Sequence, residues 1–288
     1  MKIGKKIRTF LAATAVGVLA AAVAGCGGGE SKSSSAGSAA KKTVTVAHTN
    51  YYVPYDFVND KGESDGYEVA VMKEISKKLP QYEFKFVPTS DDDLLIGVES
   101  GKYDIGTKGV WMTEARKQKY IYPKNYIGAS IIGLVIRKDM ADKVTDMKSF
   151  AEYSGKLVPL APQDARYMVI ADYNKENPDK QVVLTPSEAF QIADALTWVM
   201  EGRYDAQLEV ELSYINNVKK EDAPYHKYDD RLSYVRHRGI PIYPLFNKKN
   251  QQLADEFDKA FEELRAEGKI TELQQQYFGE DLTQYITK

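Results

Sequence analysis

Val98-Glu99-Ser100-Gly101-Lys102-Tyr103-Asp104-Ile105 reads as a helix running out into a strand. Gly101 suits the left-handed residue that closes a helix, and the chain then leaves through a basic residue and Tyr-Asp into an apolar run. The pattern returns as Val199-Met200-Glu201-Gly202-Arg203-Tyr204-Asp205-Ala206. Before the first copy, Asp91–Ser100 reads as a helix with Asp91 as its N-terminal cap. Before the second, Ser187–Glu201 carries Ala189, Ile192, Ala193, Leu196 and Val199 at helical spacing. A helix-to-strand turn recurs often by chance. A matching helix ahead of each copy makes two lobes built on related plans the better reading.

Outward from the first copy, Thr43–Ala47 is a β-branched run and reads as a strand, as does Tyr82–Pro88. Between them a helix is expected over Tyr67–Leu79, with Val69, Met72 and Ile75 on one face and Pro80 as its stop. Strand, helix, strand, helix, strand in this order argues for an open α/β sheet. Downstream, Asn250–Gly268 is amphipathic through Leu253, Phe257, Phe261 and Leu264, and Ile270–Phe278 follows as a shorter helix before Gly279.

The other end of the chain carries a different signal. Lys2, Lys5, Lys6 and Arg8 precede a short apolar run, Leu11–Ala22, which ends on Val23-Ala24-Gly25-Cys26. A basic head, a brief apolar core and small residues at a cut site describe a secretory signal. The ending resembles a bacterial lipobox, whose cysteine is acylated, as with palmitate, and becomes the first mature residue. This implies a signal peptide over 1–25, a lipid on Cys26 and anchoring to the cell membrane on its extracytoplasmic side. Gly27–Lys42 (GGGESKSSSAGSAAKK) cannot bury enough surface to order itself, so 26–42 is expected to be a flexible tether.

Cys26 is the single cysteine of the 288 residues, so no disulfide is expected. The net charge is −2 and falls further once the four leader cations are removed. No basic cluster follows, which disfavours nucleic acid as a partner. No later stretch approaches the ~18 apolar residues of a membrane span. His48, His226 and His237 lie far apart without zinc-ligand spacing, so neither a metal nor a cofactor is expected.

Several short motifs then fall in one order. Tyr52-Val53-Pro54-Tyr55-Asp56-Phe57, Lys61-Gly62-Glu63 and Gly66-Tyr67-Glu68-Val69 are followed by Ser100-Gly101-Lys102-Tyr103-Asp104 and Met112-Thr113-Glu114-Ala115-Arg116. Gly202-Arg203-Tyr204-Asp205-Ala206 and Gly268-Lys269-Ile270…Tyr277-Phe278-Gly279 complete the series. From Val44 to Gly279 the chain resembles the bacterial solute-binding proteins of ABC importers, in their polar amino-acid branch. Tyr173–Lys180 is similar to a segment of cystine-binding members. The resemblance implies a two-lobe periplasmic-binding-protein-like fold: two open α/β sheets joined by a two-strand hinge, with the ligand cleft between. The crossings would fall near Leu134–Arg137 and Arg238–Tyr243. Lobe 1 would then span 43–135 and 238–288, and lobe 2 would span 136–237.

A closed cleft holding an amino acid must pair both a carboxylate and an ammonium, since either charge buried alone costs several kcal/mol. By resemblance, Arg116 grips the carboxylate; a guanidinium supplies two parallel hydrogen bonds. An isolated arginine beside Lys117 and Lys119 would otherwise read as solvated. Tyr52 is expected to stack on the ligand, and Gly109 to contact it through its backbone. Trp111, two places further on, stands where relatives carry a small hydroxyl residue, so an altered pocket is expected. In lobe 2, Pro162-Gln163-Asp164-Ala165-Arg166 replaces the usual Gly-Thr or Gly-Ser after a strand at Leu157–Leu160. Asp164 would repel a carboxylate unless Arg166 compensates, or would itself take the ammonium. The family's ammonium-binding Asp falls on Val210, flanked by Glu209 and Glu211 on the opposite face of a strand. Glu209 is the candidate substitute, with a solvated strand-end glutamate as the alternative.

The leading function is a non-catalytic, monomeric receptor that captures an amino acid, with cystine first to test, and delivers it to a membrane permease. No Walker motif or later span occurs, so the permease and its ATPase would be separate chains. One rival is an amino-acid-derived dehydratase on the same fold, for which Glu209, Asp164 and Lys108 are the only loose acid–base candidates. The other is a ligand sensor that signals without supporting uptake.

Overall fold

The computed structural model describes residues 41–188 and 191–287. Cys26, the leader, all but the last two residues of the tether, and Ala189 of the expected second helix lie outside them. In the first part of the chain come strands β1 (Lys42–Thr49), β2 (Tyr51–Tyr52), β3 (Asp56–Val58) and β4 (Ser64–Asp65), helix α1 (Tyr67–Lys78), β5 (Tyr82–Thr89) and α2 (Asp91–Ser100). There follow β6 (Ile105–Trp111), α3 (Glu114–Lys117), β7 (Gly128–Arg137), α4 (Met147–Tyr153), α5 (Ala165–Glu176) and α6 (Ile192–Met200). The rest is β8 (Ala206–Val210), α7 (Glu211–Tyr214), β9 (Leu232–Phe246), α8 (Gln251–Ala266) and α9 (Lys269–Phe278).

Six strands lie in the order β5-β1-β6-β9-β7-β8. β1 is parallel to β5 and β6, whereas β9 runs antiparallel to both β6 and β7, and β8 antiparallel to β7. One end of β9 therefore pairs with β6 and the other with the stretch of β7 that also carries β8. The two expected sheets are thus continuous through β7 and β9. Register slips where Ile132 faces Arg238 but Gly133 faces Arg236, which leaves His237 as an extra residue in β9. Glycine is required opposite this bulge, because a Cβ on Gly133 would come within 2.2 Å of the Val235 carbonyl oxygen.

The repeated octapeptide makes the same bonds in both copies. Gly101 and Gly202 both have left-handed φ, +83° and +71°. Tyr103 and Tyr204 donate their amides to the Gly97 and Trp198 carbonyls. Asp104 and Asp205 donate theirs to Thr45 (3.0 Å) and Lys156 (2.9 Å). Around the second copy the flanking strand is reduced. Leu157–Leu160 forms only isolated bridges, at Leu157 to Ala206 and Leu160 to Pro186, since Pro159 has no N–H to extend a ladder.

Element boundaries move for local reasons. Ser90, not Asp91, caps α2: its hydroxyl accepts from the Asp93 amide at 3.2 Å, and Asp91 becomes the first helical residue. The second helix begins at Ile192 rather than Ser187. Lys42, placed in the tether by composition, is the first residue of β1 and pairs with Tyr82. The apolar faces read from helical spacing do turn inward: Val69, Met72 and Ile75 on α1, and Leu253, Phe257, Phe261 and Leu264 on α8, are all buried. Each such side chain contributes about 1.5–3 kcal/mol relative to exposure. Among the described residues no helix is long and apolar enough to cross a membrane.

Candidate functional site

β6 bends within its length at Gly109, whose φ of +62° disfavours any Cβ. A Cβ would also lie 3.0 Å from Tyr52, so the aromatic ring packs directly on the glycine backbone. Tyr52 comes from β2 and stacks on Tyr55, with centroids 5.0 Å apart and planes 14° from parallel. Tyr55 is fixed in turn by donating its hydroxyl to the Ala129 carbonyl at 2.8 Å. Past the bend, Trp111 is largely buried and paired across to Ile242 of β9. Thr113 caps α3 by accepting from the Arg116 amide. The guanidinium of Arg116 then turns back to donate to the Trp111 carbonyl at 2.9 Å. Among the described residues no carboxylate lies within ion-pair distance of Arg116.

The facing wall is built from β8 and the start of α5. Asp164 is the N-terminal cap of α5 and accepts from the Arg166 amide at 2.9 Å. The Arg166 side chain folds back so that Nε and Nη2 donate to Asp164 Oδ2 at 3.1 and 2.7 Å. Its Nη1 donates to Glu209 Oε2 at 2.8 Å and to the Leu208 carbonyl. Glu209 is 7% exposed; Gln207 donates to its Oε2, and the Val210 amide to its Oε1. Burial opposes the charge on Arg166, but Glu209 and Asp164 outweigh it and hold the guanidinium above its ordinary value. Burial likewise pushes Asp164 up, and the hydrogen bonds and charge of Arg166 bring it below the usual carboxylate range. One cation between two carboxylates leaves this wall net negative.

Tyr52, Gly109, Trp111 and Arg116 on one side and Asp164, Arg166 and Glu209 on the other all border a single cleft of about 400 Å³. All seven residues singled out from the sequence are therefore brought together. Val210 borders the same space; Glu211 does not. Glu211 was expected on the strand, but the strand ends at Val210 and Glu211 opens α7, paired with Arg236 at 2.8 Å. Ser130, Gln163 and Lys108 also line the cleft. Ser130 lies in none of the quoted motifs, Gln163 lies in the quoted Pro162–Arg166 stretch without a role of its own, and the sequence offers Lys108 only as an acid–base candidate. Lys108 Nζ lies 2.5 Å from Asp91.

A second feature beneath the cleft was not anticipated. The Gly109 amide donates at 2.7 Å to Glu68 Oε2, and Glu68 is fully buried beside Asp56. Burial raises Asp56 well above its ordinary range, reinforced by the Glu68 charge. Burial raises Glu68 as well, against the pull of its bonds from Asp56 and Gly109. Asp56 Oδ1 accepts from the Thr107 hydroxyl at 2.9 Å. Glu68 lies in the quoted Gly66–Val69 motif, but its partners sit on distant strands. His48 is buried next to this pair, His237 marks the β9 bulge, and His226 Nδ1 meets the Val218 carbonyl. Among the described residues no His, Cys, Asp and Glu side chains cluster to hold a metal ion.

Residues 44–280 match the bacterial extracellular solute-binding proteins, family 3, and the chain belongs to that family. It is 26% identical over 260 residues to the L-cystine-binding protein TcyK of Bacillus subtilis, covering 89% of this chain and 90% of that one. Among solved structures it resembles a probable amino-acid ABC transporter extracellular-binding protein, ytmK of B. subtilis. The TM-score is 0.63 at 22% identity, over 83% of this chain and 98% of the other. It also resembles the L-cystine solute receptor of Neisseria gonorrhoeae in its unliganded open conformation. There the TM-score is 0.56 at 24% identity, over 86% and 96% of the two chains. The fold is the two-lobe α/β architecture of these binding proteins, and the family places the chain on the extracytoplasmic side.

Proposed function

We propose that this chain is the receptor of an ABC importer and traps an α-amino acid in the cleft between its lobes. One observation carries the reading: Arg116, a cation without an acidic partner, faces a wall on which Arg166 is outnumbered by Asp164 and Glu209. That pattern complements a zwitterion. Arg116 takes the carboxylate, Tyr52 packs on the ligand, the Gly109 backbone contacts it, and Trp111 narrows the space. Glu209, assisted by Asp164, takes the ammonium, and Arg166 holds both acids in place. The cystine-binding relatives and the Tyr173–Lys180 likeness make L-cystine the first ligand to test.

We assign 43–135 with 238–288 to lobe 1 and 136–237 to lobe 2. The register slip opposite His237 supports a flexing point next to these boundaries. A ligand bridging both walls binds the closed form better and so biases the hinge. A non-catalytic role fits the ion pairing, since Asp164, Glu209 and Lys108 are each already committed to an opposite charge. The receptor acts as a monomer that hands its ligand to a permease served by a separate ATPase. Residues 1–25 are its signal peptide, and acylated Cys26 anchors it through the tether. Each buried CH₂ contributes about 0.8 kcal/mol, so stable attachment needs more than one chain, palmitate among them.

Two measurements test these assignments. Mass spectrometry of ligand released on denaturing the purified protein, with calorimetry over an amino-acid panel, should return an α-amino acid. A panel without binding, together with a released ligand lacking an amino-acid group, overturns the reading. For the anchor, Cys26→Ser should move the protein out of the membrane fraction and abolish incorporation of labelled fatty acid. Wild-type fractionation and labelling of that variant would refute the lipid assignment.

A further inference from the structure

Beside the main cleft lies a second hollow of about 210 Å³, lined by Thr49, Tyr51, Tyr52, Asp91 and Lys108. Tyr52 and Lys108 border both spaces, so the two are neighbours. The hollow is chemically specific. Lys108, whose side chain is 17% exposed, meets one oxygen of Asp91 at 2.5 Å, and the Tyr51 hydroxyl donates to the other at 2.8 Å. Thr49 is 1% exposed and its hydroxyl has no hydrogen-bond partner.

A cation, a carboxylate and a phenol hydroxyl around one small space complement a second zwitterionic head group. Its ammonium would bond to Asp91, and its carboxylate to Lys108 Nζ and the Tyr51 hydroxyl. The internal Lys108–Asp91 pair would be exchanged for two charge-assisted contacts, so neither charge would be stranded. A ligand with one head group fills only the main cleft and leaves that pair closed. The spacing suits a short bridge. Lys108 and Trp111, whose carbonyl holds Arg116, are three residues apart on β6, roughly 10 Å if fully extended and less through the Gly109 bend. The two α-carbons of a disulfide-linked amino acid are typically about 4.4–6.8 Å apart, and its carboxylates reach beyond them.

We propose that Lys108, Asp91 and Tyr51 form a second head-group subsite that selects ligands carrying an α-amino-acid group at both ends. This rests on the amino-acid reading of the main cleft. The test is calorimetry on the full chain with L-cystine, which has two head groups, and S-methyl-L-cysteine, which has one. The quantity read is the ratio of the two affinities. Wild type should favour cystine at least tenfold. Lys108→Met and the isosteric Asp91→Asn should each lower that ratio tenfold or more. A ratio unchanged in both charge variants, or a wild type that does not prefer cystine, overturns the subsite. Arg116→Ala separates the two claims, because it should weaken both ligands together. If it weakens neither, the main-cleft reading fails instead.

Discussion

Arg116 and Arg166 look into the same cleft from facing walls, and their surroundings assign them different work. Arg116 rests on a backbone carbonyl at 2.9 Å and, among the described residues, has no carboxylate within ion-pair distance. Arg166 is clamped: two carboxylates and a carbonyl take four of its five N–H donors within 3.3 Å. A guanidinium already bound in this way cannot add a bidentate carboxylate without stranding Asp164 or Glu209. On the proposed function the unpaired cation is the recognition group, and the clamped one is the scaffold for two acids. Residue type alone would have counted two arginines toward an anionic ligand. The pairing reverses the sign of one wall.

The largest effects should separate the pair cleanly. Arg116→Ala is expected to cost about 3–5 kcal/mol of ligand affinity, the range for leaving a buried charge unpartnered, with little change in folding stability. Arg166→Ala should lower stability by a similar amount, because two carboxylates lose their shared partner. Calorimetry and urea unfolding on both variants decide this. Equal losses of affinity with no loss of stability would place both arginines on the ligand and end the distinction.

Glu209→Gln sharpens the negative side. The amide keeps the size of the side chain and removes its charge, so an amino-acid ligand should bind about 2 kcal/mol more weakly, measured by calorimetry. Wild-type affinity in this variant would mean that the ligand nitrogen is recognised elsewhere. Asp164→Asn should cost less, about 1 kcal/mol. Asparagine caps a helix as well as aspartate does, so only the charge is lost. A loss equal to that of Glu209→Gln would make the two acids equal partners of the ammonium.

The contrast between the arginines was only half legible in the sequence. Arg116 was readable because Thr113 caps the short helix that carries it, and cap and arginine sit together in one motif. The Asp164 half of the Arg166 clamp was near enough to weigh. The Glu209 half joins two elements far apart in sequence, and no local pattern encodes it. The same holds for Glu68 under Gly109, a contact between α1 and β6. The fold was more legible, since periodicity and closing glycines are local signals: both octapeptide turns form as read. Where a boundary slipped, a neighbouring residue supplied the cap, as Ser90 did for Asp91. The expected strand at Leu157–Leu160 shrank because Pro159 interrupts it.

The smallest effect on affinity is expected beneath the Arg116 wall, at the Asp56–Glu68 pair. Asparagine at 56 still donates to Glu68, so Glu68 should go on holding the Gly109 amide, and Asp56→Asn should change ligand affinity no more than about twofold. Stability should respond differently. The Asp56 carboxyl is raised in the folded protein, chiefly by burial and then by the Glu68 charge, so the native state holds a proton that the unfolded chain releases above about pH 4. Its contribution is therefore fully present below that pH and declines as pH rises toward the native value, by up to about 1.4 kcal/mol per pH unit. His48, lowered chiefly by burial, acts in the opposite sense, its cost growing as pH falls below about 6.5. His48 and Glu68 are present in both proteins, so the difference between wild type and Asp56→Asn reports the Asp56 carboxyl together with its coupling to them. Urea unfolding at pH 5, 6 and 7 should show the variant gaining on wild type as pH rises. Parallel curves would mean that Asp56 is ionised in the folded protein.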